Sequence, residues 1–342
     1  MDNLTEAVTS DGRLDDCRIY ARETLYKGMN GRFVERFYVS PQQSYIFKPV
    51  THAGQEGRES WVYAHILPLI PDVYPKILAE SRTNEETSWA IFEDLGKLNH
   101  AFEWEPILEV TQVMARWHAI PVERLPAQTP VTGHKPRIEL AATEIVSCEK
   151  QAAALLAELP IPARAAARLL EAIRDLAAMG EGSPYAASQV LSHGDLHLGN
   201  YAKSGEKVVV LDWEHAHLNT IHWDLYHLLD MSHPLFPRQI SPSTRTRVLN
   251  EYAAESAKNG KLLDRERLRE EYAFFAAVYS VWMLLLIYKD LGQKEAVWPA
   301  EQLHAQWRET ADSLVQCMSL LGLTDSGGGM DISNHIEKAV GE

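Results

Sequence analysis

One segment of the chain combines two short apolar strands with three polar side chains that could bind a metal ion. Asp195 and Asn200 follow the strand stub Val190-Leu191, and Asp212 follows the apolar run Val208–Leu211. Carboxylate and amide oxygens are the hard ligands that Mg²⁺ prefers, together with water and substrate phosphates. The spacing predicts a hairpin-like unit that brings the three side chains to one end of a sheet. Such a site suits phosphoryl transfer, which needs a metal ion and a carboxylate near the attacking hydroxyl.

The same segment resembles the catalytic segment of kinases. It reads His-x-Asp-x-x-x-x-Asn from His193 to Asn200, and an apolar strand ending in Asp212 follows. The forms HGDLHLGN and LDWE are similar to the aminoglycoside phosphotransferase and choline kinase family. A protein kinase would carry Arg instead of Gly194 and Asp-Phe-Gly at the second site, and no Ala-Pro-Glu segment follows. The resemblance therefore implies a small-molecule acceptor. A chance acidic turn between two strands is the alternative, and the agreement of spacing and flanking strands weighs against it.

The resemblance implies separate roles for the motif residues. Asp195 would orient or deprotonate the acceptor hydroxyl, while Asn200 and Asp212 would hold Mg²⁺. His193 would brace the loop through hydrogen bonds without taking part in proton transfer. Asp224 resembles the family's aspartate that begins a helix and supports the catalytic loop. An aspartate in a first helical turn can also simply favour the helix dipole, and both readings make Asp224 structural.

Several N-terminal residues resemble the nucleotide-binding parts of the same family. Lys48 would reach the α- and β-phosphates of the nucleotide, although a lysine in an apolar strand is usually exposed at an edge. Glu59 is the expected partner of Lys48, and Glu56, one helical turn earlier, is the alternative. No GxxxxGK[ST] segment is present, so a P-loop is not supported. The other predicted nucleotide contacts are Gly28 and Asn30, whose turn could cover the phosphates with backbone amides, and Phe92 and Glu93, whose backbone would pair with adenine.

The pattern along the chain predicts an α+β fold with two lobes. Residues 1–93 combine short strands rich in aromatic and β-branched residues with one helix near 57–67. A hinge follows at 94–97, residues 98–323 form a mainly helical lobe, and residues 324–342 resemble a flexible tail. The predicted strands span 23–27, 32–39, 44–50, 76–81 and 88–93, and the predicted helices include 105–119, 138–159 and 163–179. The resemblance implies a protein-kinase-like fold that binds the nucleotide between the lobes.

Composition narrows the class of protein. The 342 residues carry a formal net charge of -14, which argues against a nucleic-acid binder because phosphate backbones require a basic surface. The three cysteines are far apart, and the acidic N-terminus lacks an apolar core, so we expect a reduced, cytoplasmic protein. The apolar run Tyr272–Tyr288 is shorter than the roughly 20 residues of a membrane span and contains hydroxyl groups, which predicts a buried core helix and no membrane partner.

Seven histidines lie between positions 193 and 233. His193 and His197 are four residues apart, which on a helix would suggest a zinc pair. Gly194 and Asp195 between them indicate a loop, however, and HExxH is absent, so a zinc enzyme is not favoured. If several of these histidines line the site, activity should depend on pH between about 5 and 8.

These observations favour a Mg²⁺-dependent kinase that transfers phosphate from ATP or GTP to a hydroxyl of a small molecule. The resemblance covers roughly residues 20 to 290. Acidic residues of the helical lobe could receive an amino-bearing acceptor such as an aminoglycoside. A housekeeping kinase of choline, amino-alcohol, sugar or homoserine type is the first alternative. The second is a nucleotide-binding module without turnover, against which the joint presence of Lys48, Asp195, Asn200 and Asp212 counts.

Overall fold

A computed structural model describes residues 4–28, 30–51, 54, 56–81, 87–293 and 297–324. The chain divides into two compact units. The first, called the sheet unit below, combines residues 1–99 with 200–215. The second, called the helical unit, combines residues 100–199 with 216–342. Asn200 and Asp212 therefore belong to the sheet unit, and Asp195 belongs to the helical unit. The predicted tail lies outside the described residues beyond Thr324.

The described residues form nine strands and ten α-helices, numbered in chain order. The strands are β1 (Ala21–Lys27), β2 (Phe33–Ser40), β3 (Gln43–Pro49), β4 (Ile77–Glu80), β5 (Trp89–Glu93), β6 (Val190–Ser192), β7 (Tyr201–Ser204), β8 (Lys207–Val210) and β9 (His217–Asn219). The helices are α1 (Arg58–His65), α2 (Trp104–His118), α3 (Ile138–Ser147), α4 (Glu149–Ala157), α5 (Ala163–Met179), α6 (Pro184–Ala187), α7 (Ile221–Leu229), α8 (Pro242–Lys258), α9 (Arg265–Leu291) and α10 (Ala300–Leu320).

The sheet unit contains a five-stranded antiparallel sheet in the order β1-β2-β3-β5-β4. The first three strands pair in chain order as an antiparallel meander. Side chains alternate between the two faces of a strand, so neighbouring residues of β3 serve different purposes. Phe47 is buried in a cluster with Phe37 and Ile91, which the N-terminal residues Ala7 and Leu14 complete. Lys48, the next residue, lies on the opposite face.

The hairpin predicted around the catalytic motif is wrong in its pairing. Strand β6 pairs with β9, whereas β8 pairs with β7. Residues Ser204 to Lys207 close the second hairpin through Gly205, whose φ of 59° suits a glycine. Strand β7 is only half apolar, and it lies directly after the motif. Its sequence pattern therefore did not predict a strand, and β8 was paired with β6 instead of β7.

The helical unit confirms the mainly helical prediction and corrects one boundary. Residues 138–159 were predicted as one helix, but α3 and α4 are separate, because Cys148 has φ -123° and ψ 33°. Ser147 Oγ and Cys148 Sγ both donate to the carbonyl oxygen of Glu144, at 2.6 and 3.2 Å. Such local side-chain bonds compete with helix continuation, and no proline or glycine signals the break.

Helix α9 is the predicted buried core helix. By length and composition it could cross a membrane, yet 83% of its most apolar 18-residue window lies buried inside the protein. It contacts α10, α3 and α7 within the helical unit. Asp264 caps its first turn by accepting from the backbone amides of Glu266 and Arg267, both at 2.9 Å. Its burial is that of a core helix.

Candidate active site

Lys48 is surrounded by three carboxylates within the sheet unit. Its ammonium nitrogen lies 2.6 Å from Asp212 Oδ1, 2.9 Å from Glu59 Oε1 and 3.4 Å from Glu214 Oε2. Strand β3 supplies the lysine, α1 supplies Glu59, and the turn after β8 supplies the other two. Of the two predicted partners, Glu59 contacts Lys48, whereas Glu56 accepts from the backbone amide of Gly54.

Burial and charge act in opposite directions on this cluster. Burial alone would lower the pKa of Lys48, but the three carboxylates, Asp212 first, outweigh it and raise that pKa well above its ordinary value. Burial raises the pKa of Glu59 to about 7. The ammonium of Lys48 opposes this rise, and the carboxylates of Glu214 and Asp212 add to it. The cluster therefore has more acids than bases, which leaves it able to accept a further cation.

Asp212 has the backbone geometry of a strained functional position. Its φ of 60° makes it the one non-glycine residue with positive φ in the described part of the chain. Left-handed backbone is costly for a residue with a side chain and persists where the surrounding structure enforces it. The amide of the preceding Leu211 donates to the carbonyl oxygen of Asn200 at 2.8 Å, which holds the two predicted metal ligands in adjacent backbone segments.

The oxygen ligands in the sheet unit fit Mg²⁺ better than a transition metal. Asp212 supplies a carboxylate, and Asn200, which is largely buried, supplies an amide oxygen. Mg²⁺ commonly uses one or two protein oxygens and completes its shell with water and phosphates. No cluster of three or more His, Cys, Asp or Glu side chains suited to a metal ion occurs among the residues that the structure describes. A fully protein-bound zinc ion therefore has no support there.

Two residues of this cluster were missed from the sequence. Glu214 is buried beside Lys48, and its place in the LDWE motif did not predict this contact. Arg58 Nε donates to the carbonyl oxygen of Glu214 at 3.1 Å, which links the start of α1 to the turn after β8. The partners lie 156 residues apart in the chain, so spacing could not reveal them.

Asp195 lies in the helical unit among basic side chains. Lys135 Nζ donates to Asp195 Oδ1 at 2.6 Å. Nitrogens of His134 and His227 lie 3.7 Å from the same oxygen, and His197 Nε2 lies 3.6 Å from Oδ2. Burial would raise the pKa of Asp195, but Lys135, followed by the histidines, holds it well below the ordinary value of 3.8. Asp195 is therefore a carboxylate at neutral pH.

Hydrogen bonds fix the tautomers of two of these histidines. His227 Nδ1 lies 2.8 Å from the carbonyl oxygen of Trp223, which can only accept, so Nδ1 carries the hydrogen. Its Nε2 is then free to accept from Lys135, 3.3 Å away. In His197 the roles are reversed, because Nδ1 accepts from the amide of Gly199 at 2.9 Å. Both rings therefore contact the Asp195 region as neutral, ordered groups.

The expected pH sensitivity from histidine titration does not hold for four of the histidines. Burial is the first cause in each case, because it disfavours the charged imidazolium. The pKa of His222 and of His227 falls to about 3, that of His233 to about 4, and that of His197 well below 6.5. His222, His227 and His233 therefore stay neutral between pH 5 and 8, and the pKa of His197 is shifted in the same direction.

The backbone of the catalytic segment is bound to a buried carboxylate of α7. Asp224 Oδ2 accepts from the amide of His193 at 2.9 Å and from His118 Nε2 at 3.0 Å. Its Oδ1 accepts from Ser192 Oγ at 2.6 Å and from the amide of Gly194 at 3.3 Å. Burial opposes ionisation, but these bonds and His118 hold the pKa of Asp224 well below its ordinary value.

His193 makes a second contact inside the same segment. Its Nδ1 accepts from the backbone amide of Asp195 at 3.2 Å, and the ring is fully buried. The indole nitrogen of Trp223 donates to the carbonyl oxygen of Gly194 at 2.9 Å. The backbone that leads into Asp195 is thus held by side chains of the helical unit.

The turn predicted to cover the phosphates is closed by its own hydrogen bonds. The amides of Gly28, Asn30 and Gly31 donate to the carbonyl oxygens of Arg32, Thr51 and Gly28. A Cβ atom at Gly28 would lie 2.8 Å from the side chain of Thr51, which explains the glycine. Binding a phosphate through these amides would require the turn to open. Met29 lies outside the described residues.

The residues before the predicted hinge are held firmly in the sheet unit. Phe92 is buried and its ring packs against Tyr63. The amide of Glu93 donates to the carbonyl oxygen of Lys76 at 3.0 Å, and its carboxylate accepts from the Lys76 amide at 2.8 Å. The next residue, Asp94, accepts from Arg36 Nε at 2.6 Å. The backbone contacts predicted for adenine stay a prediction.

Comparisons with known proteins agree with this architecture. The sequence profile of the phosphotransferase enzyme family, abbreviated APH, matches residues 70–272, which is more than half of the chain. The choline kinase of Cryptosporidium parvum Iowa II has a similar structure, with a TM-score of 0.56, 15% identity, and coverage of 93% of this chain and 94% of that chain. No curated protein matches the sequence at a significant level.

Two further solved structures share the fold. A choline/ethanolamine kinase family protein from Mesorhizobium loti gives a TM-score of 0.55 at 13% identity, with coverage of 96% of this chain and 95% of that chain. A thermostable mutant of an aminoglycoside phosphotransferase gives 0.50 at 13% identity, with coverage of 88% and 94%. The predicted α+β, protein-kinase-like fold is confirmed.

Proposed function

The chain belongs to the phosphotransferase enzyme family, and from this premise we propose that it transfers the γ-phosphoryl group of ATP or GTP to a hydroxyl of a small molecule, with Mg²⁺. Family membership supports a small-molecule kinase. The identity of the nucleotide, the use of Mg²⁺ and the nature of the acceptor are proposals. We also propose a cytoplasmic location, in keeping with the absence of a cysteine pattern for disulfides.

The observation that carries the proposal is the arrangement of Lys48. An ammonium group that is paired to Glu59 at 2.9 Å and to Asp212 at 2.6 Å is positioned before any ligand arrives. Phosphoryl transfer depends mainly on positioning and on neutralising charge. We propose that Lys48 binds the α- and β-phosphates and that Glu59 orients it. Gly28, Asn30, Phe92 and Glu93 are the further nucleotide contacts that we propose.

Asn200 and Asp212 are the proposed ligands of Mg²⁺, with Glu214 as a nearby additional carboxylate. A Mg²⁺ ion held there would supply neutralisation of the negative charge on the phosphoryl group. The excess of carboxylates around Lys48 supports this assignment, because such a cluster gains stability from a divalent cation.

Asp195 is the proposed contact of the acceptor hydroxyl. Its low pKa makes it a weak base, so we expect it to orient the hydroxyl mainly by accepting its hydrogen. A loose transition state requires little proton removal before the phosphoryl group is transferred. Asp224 and His193 act as positioning residues in this proposal, because they bind the backbone amides of His193 and Asp195.

The proposal is tested by comparing Asp212→Asn with Asp72→Asn, an exposed aspartate of the same unit. Calorimetry would measure ATP and GTP affinity with and without Mg²⁺. We expect Mg²⁺ to strengthen nucleotide binding in the wild type and in Asp72→Asn, and to do so much less in Asp212→Asn. If Mg²⁺ changes no affinity in any of them, the metal assignment is wrong.

Turnover is tested with labelled ATP and GTP and a panel of hydroxyl-bearing acceptors. Asp195→Asn should bind nucleotide normally and lose about 10²- to 10⁴-fold in kcat, the scale of a lost catalytic group. Nucleotide binding without any phosphorylated product would favour a non-catalytic module. Choline, amino-alcohol, sugar and homoserine acceptors belong in the panel, because a housekeeping kinase uses the same catalytic residues.

A further inference from the structure

The charge around Asp195 does not suit a cationic acceptor. Lys135 and the three histidines His134, His197 and His227 lie within 4 Å of this carboxylate. The nearest, Lys135, lies 2.6 Å away and neutralises the aspartate. An acceptor that places a hydroxyl on Asp195 must bring its neighbouring groups close to the ammonium of Lys135. Because Asp195 and Lys135 neutralise each other, the preference depends on direct contact: an amine placed against the ammonium is repelled by it, whereas an anionic group that contacts the ammonium is attracted.

The loop that carries Lys135 is fixed at three points. The amide of Leu218 donates to the carbonyl oxygen of Pro130 at 2.7 Å. The hydroxyl of Tyr279 donates to the carbonyl oxygen of Pro136. Between them, Gly133 lies directly against the ring of His217, where an added Cβ would come within 2.6 Å. Lys135 is therefore presented by an ordered loop, which makes it a recognition group with little reorganisation on binding.

Lys135 retains capacity for a ligand after these contacts. An ammonium group has three N–H donors, and its recorded side-chain partners are Asp195 and His227. Its side chain is 19% exposed, and that of the adjacent His134 is 27% exposed. These two consecutive residues are more accessible than His197 or His227, so a ligand can reach them. A hydrogen bond between an ammonium group and an anion is among the stronger contacts available to a protein.

Three acids of the helical unit are engaged by other side chains. Asp230 binds the guanidinium group of Arg245 through both oxygens, at 2.6 and 2.9 Å. Glu139 accepts from the hydroxyl of Ser183. Glu144 accepts from the indole nitrogen of Trp282 at 2.6 Å.

We propose that the acceptor carries an anionic group, a carboxylate or a phosphate ester, next to the hydroxyl that is phosphorylated, and that Lys135 binds this group. The inference rests on the proposed function of Asp195. It replaces the amino-bearing acceptor expected from the sequence. In the reaction, the acceptor oxygen forms a bond to the γ-phosphorus, the bond to the β-phosphate bridging oxygen breaks, and the hydroxyl proton leaves to solvent.

Three-carbon alcohols of different charge test the proposal. Glycerate and glycerol 3-phosphate are anionic, glycerol is neutral, and 3-amino-1,2-propanediol is cationic at pH 7. Initial rates with ATP and Mg²⁺ would be measured for the wild type, Lys135→Gln, Lys135→Arg and the surface control Lys258→Gln. In parallel, tryptophan fluorescence would measure binding of the same compounds with a non-hydrolysable ATP analogue, at constant ionic strength.

We expect one of the two anionic compounds to bind at least ten-fold more tightly than glycerol, and the cationic compound to bind most weakly. Lys135→Gln should weaken anion binding about 10- to 100-fold, the scale of one charge-assisted hydrogen bond, and leave glycerol within about three-fold. Lys135→Arg should restore much of the anion preference, and Lys258→Gln should match the wild type. The better anion distinguishes carboxylate from phosphate recognition.

Two results would overturn the proposal. One is tighter binding of the cationic or neutral compound than of either anion in the wild type. The other is an equal loss for all four compounds in Lys135→Gln, which would assign Lys135 to the transferred phosphoryl group or to Asp195 alone. If nucleotide binds and nothing is phosphorylated, the kinase proposal fails, while the order of binding still decides the charge of the acceptor.

Discussion

Lys48 and Asp195 both form ion pairs within the protein, but Lys48 lies among acidic side chains and Asp195 among basic ones. Lys48 faces three carboxylates in the sheet unit, so that cluster has an excess of negative charge. Asp195 faces one lysine and three histidines in the helical unit, so its own charge is neutralised. Removing one partner from a buried pair leaves an uncompensated charge, so single substitutions at these positions act on stability as well as on function.

The raised pKa of Glu59 predicts a pH-dependent stability. Between its ordinary pKa of 4.5 and its folded value of about 7, the folded protein binds a proton that the unfolded chain releases. The free energy of unfolding must therefore fall as pH rises through this window. We expect a fall of roughly 1 to 3 kcal/mol from this group between pH 5 and pH 8 without Mg²⁺.

Urea unfolding at the two pH values, in the presence of a chelator, checks this prediction. Glu59→Gln should show a smaller fall than the wild type, and the exposed control Glu80→Gln should show the same fall. The comparison between variants is required, because burial also raises the pKa of Glu309 to about 7. An identical pH dependence in Glu59→Gln and wild type would contradict the assignment.

The sequence predicted residue types well where the motif is local. Spacing singled out Asp195, Asn200 and Asp212, whose roles stay predictions, and Glu59 contacts Lys48 as its place on the first helix after Lys48 indicated. Lys135 was missed, because its partner is 60 residues further along the chain. The one local signal was a His-Lys pair next to Gly133 in a loop of an acidic protein. Contacts of this kind depend on packing of the helical unit and have no sequence period.

At the scale of elements, the loop 130–136 contacts Asp195 of the catalytic segment through Lys135. It packs on β9, which pairs with β6, and β6 leads directly into the catalytic segment. The loop and the segment therefore share one small sheet as their support. The polar composition of this loop predicts a turn between two helices and indicates nothing about its contacts.

Substitution of Gly133 by alanine tests this coupling. The new Cβ would lie 2.6 Å from Cε1 of the buried His217 ring, so the loop or the ring must move. We expect a loss of about 1 to 3 kcal/mol in the free energy of unfolding, typical of overpacking, and weaker acceptor binding because Lys135 is displaced.

Gly182→Ala is the matched control, since an added Cβ at Gly182 meets no atom within 4 Å. Its unfolding free energy should stay within about 0.5 kcal/mol of the wild type. Thermal unfolding and acceptor KM, measured on both variants, separate a local packing cost from a general effect of replacing glycine. Equal effects of the two substitutions would contradict the role assigned to the loop.

For the whole molecule, the sheet unit is the part that does not follow the order of the chain, because two separate segments form it. It is built from residues 1–99 and 200–215, so the residues that contact Lys48 come from both parts. The amide of Val210 donates to the carbonyl oxygen of Val73 at 2.6 Å, and Asn99 pairs with Lys203. The sequence pattern predicted the strands of the first part, but it could not predict that a later hairpin completes the unit.

A fragment of residues 1–99 should therefore fold poorly. Without Asp212 and Glu214, Lys48 retains one carboxylate and is otherwise buried. A fusion of residues 1–99 to 200–215 through a flexible linker of about ten residues should recover a cooperative urea transition. The control is the same fusion with the sequence of 200–215 scrambled. A cooperative transition of equal midpoint in all three would show that the second part is not required.

Because the sheet unit is built from two separate parts of the chain, it can be completed only late in synthesis. A ribosome adds about 5 to 20 residues per second, so the chain between Asn99 and Asn200 takes roughly 5 to 20 s to make. Throughout that interval Lys48 and Glu59 exist without Asp212, and the first five strands must wait for the late hairpin. The emerging chain is then open to chaperones and proteases at the part that carries Lys48.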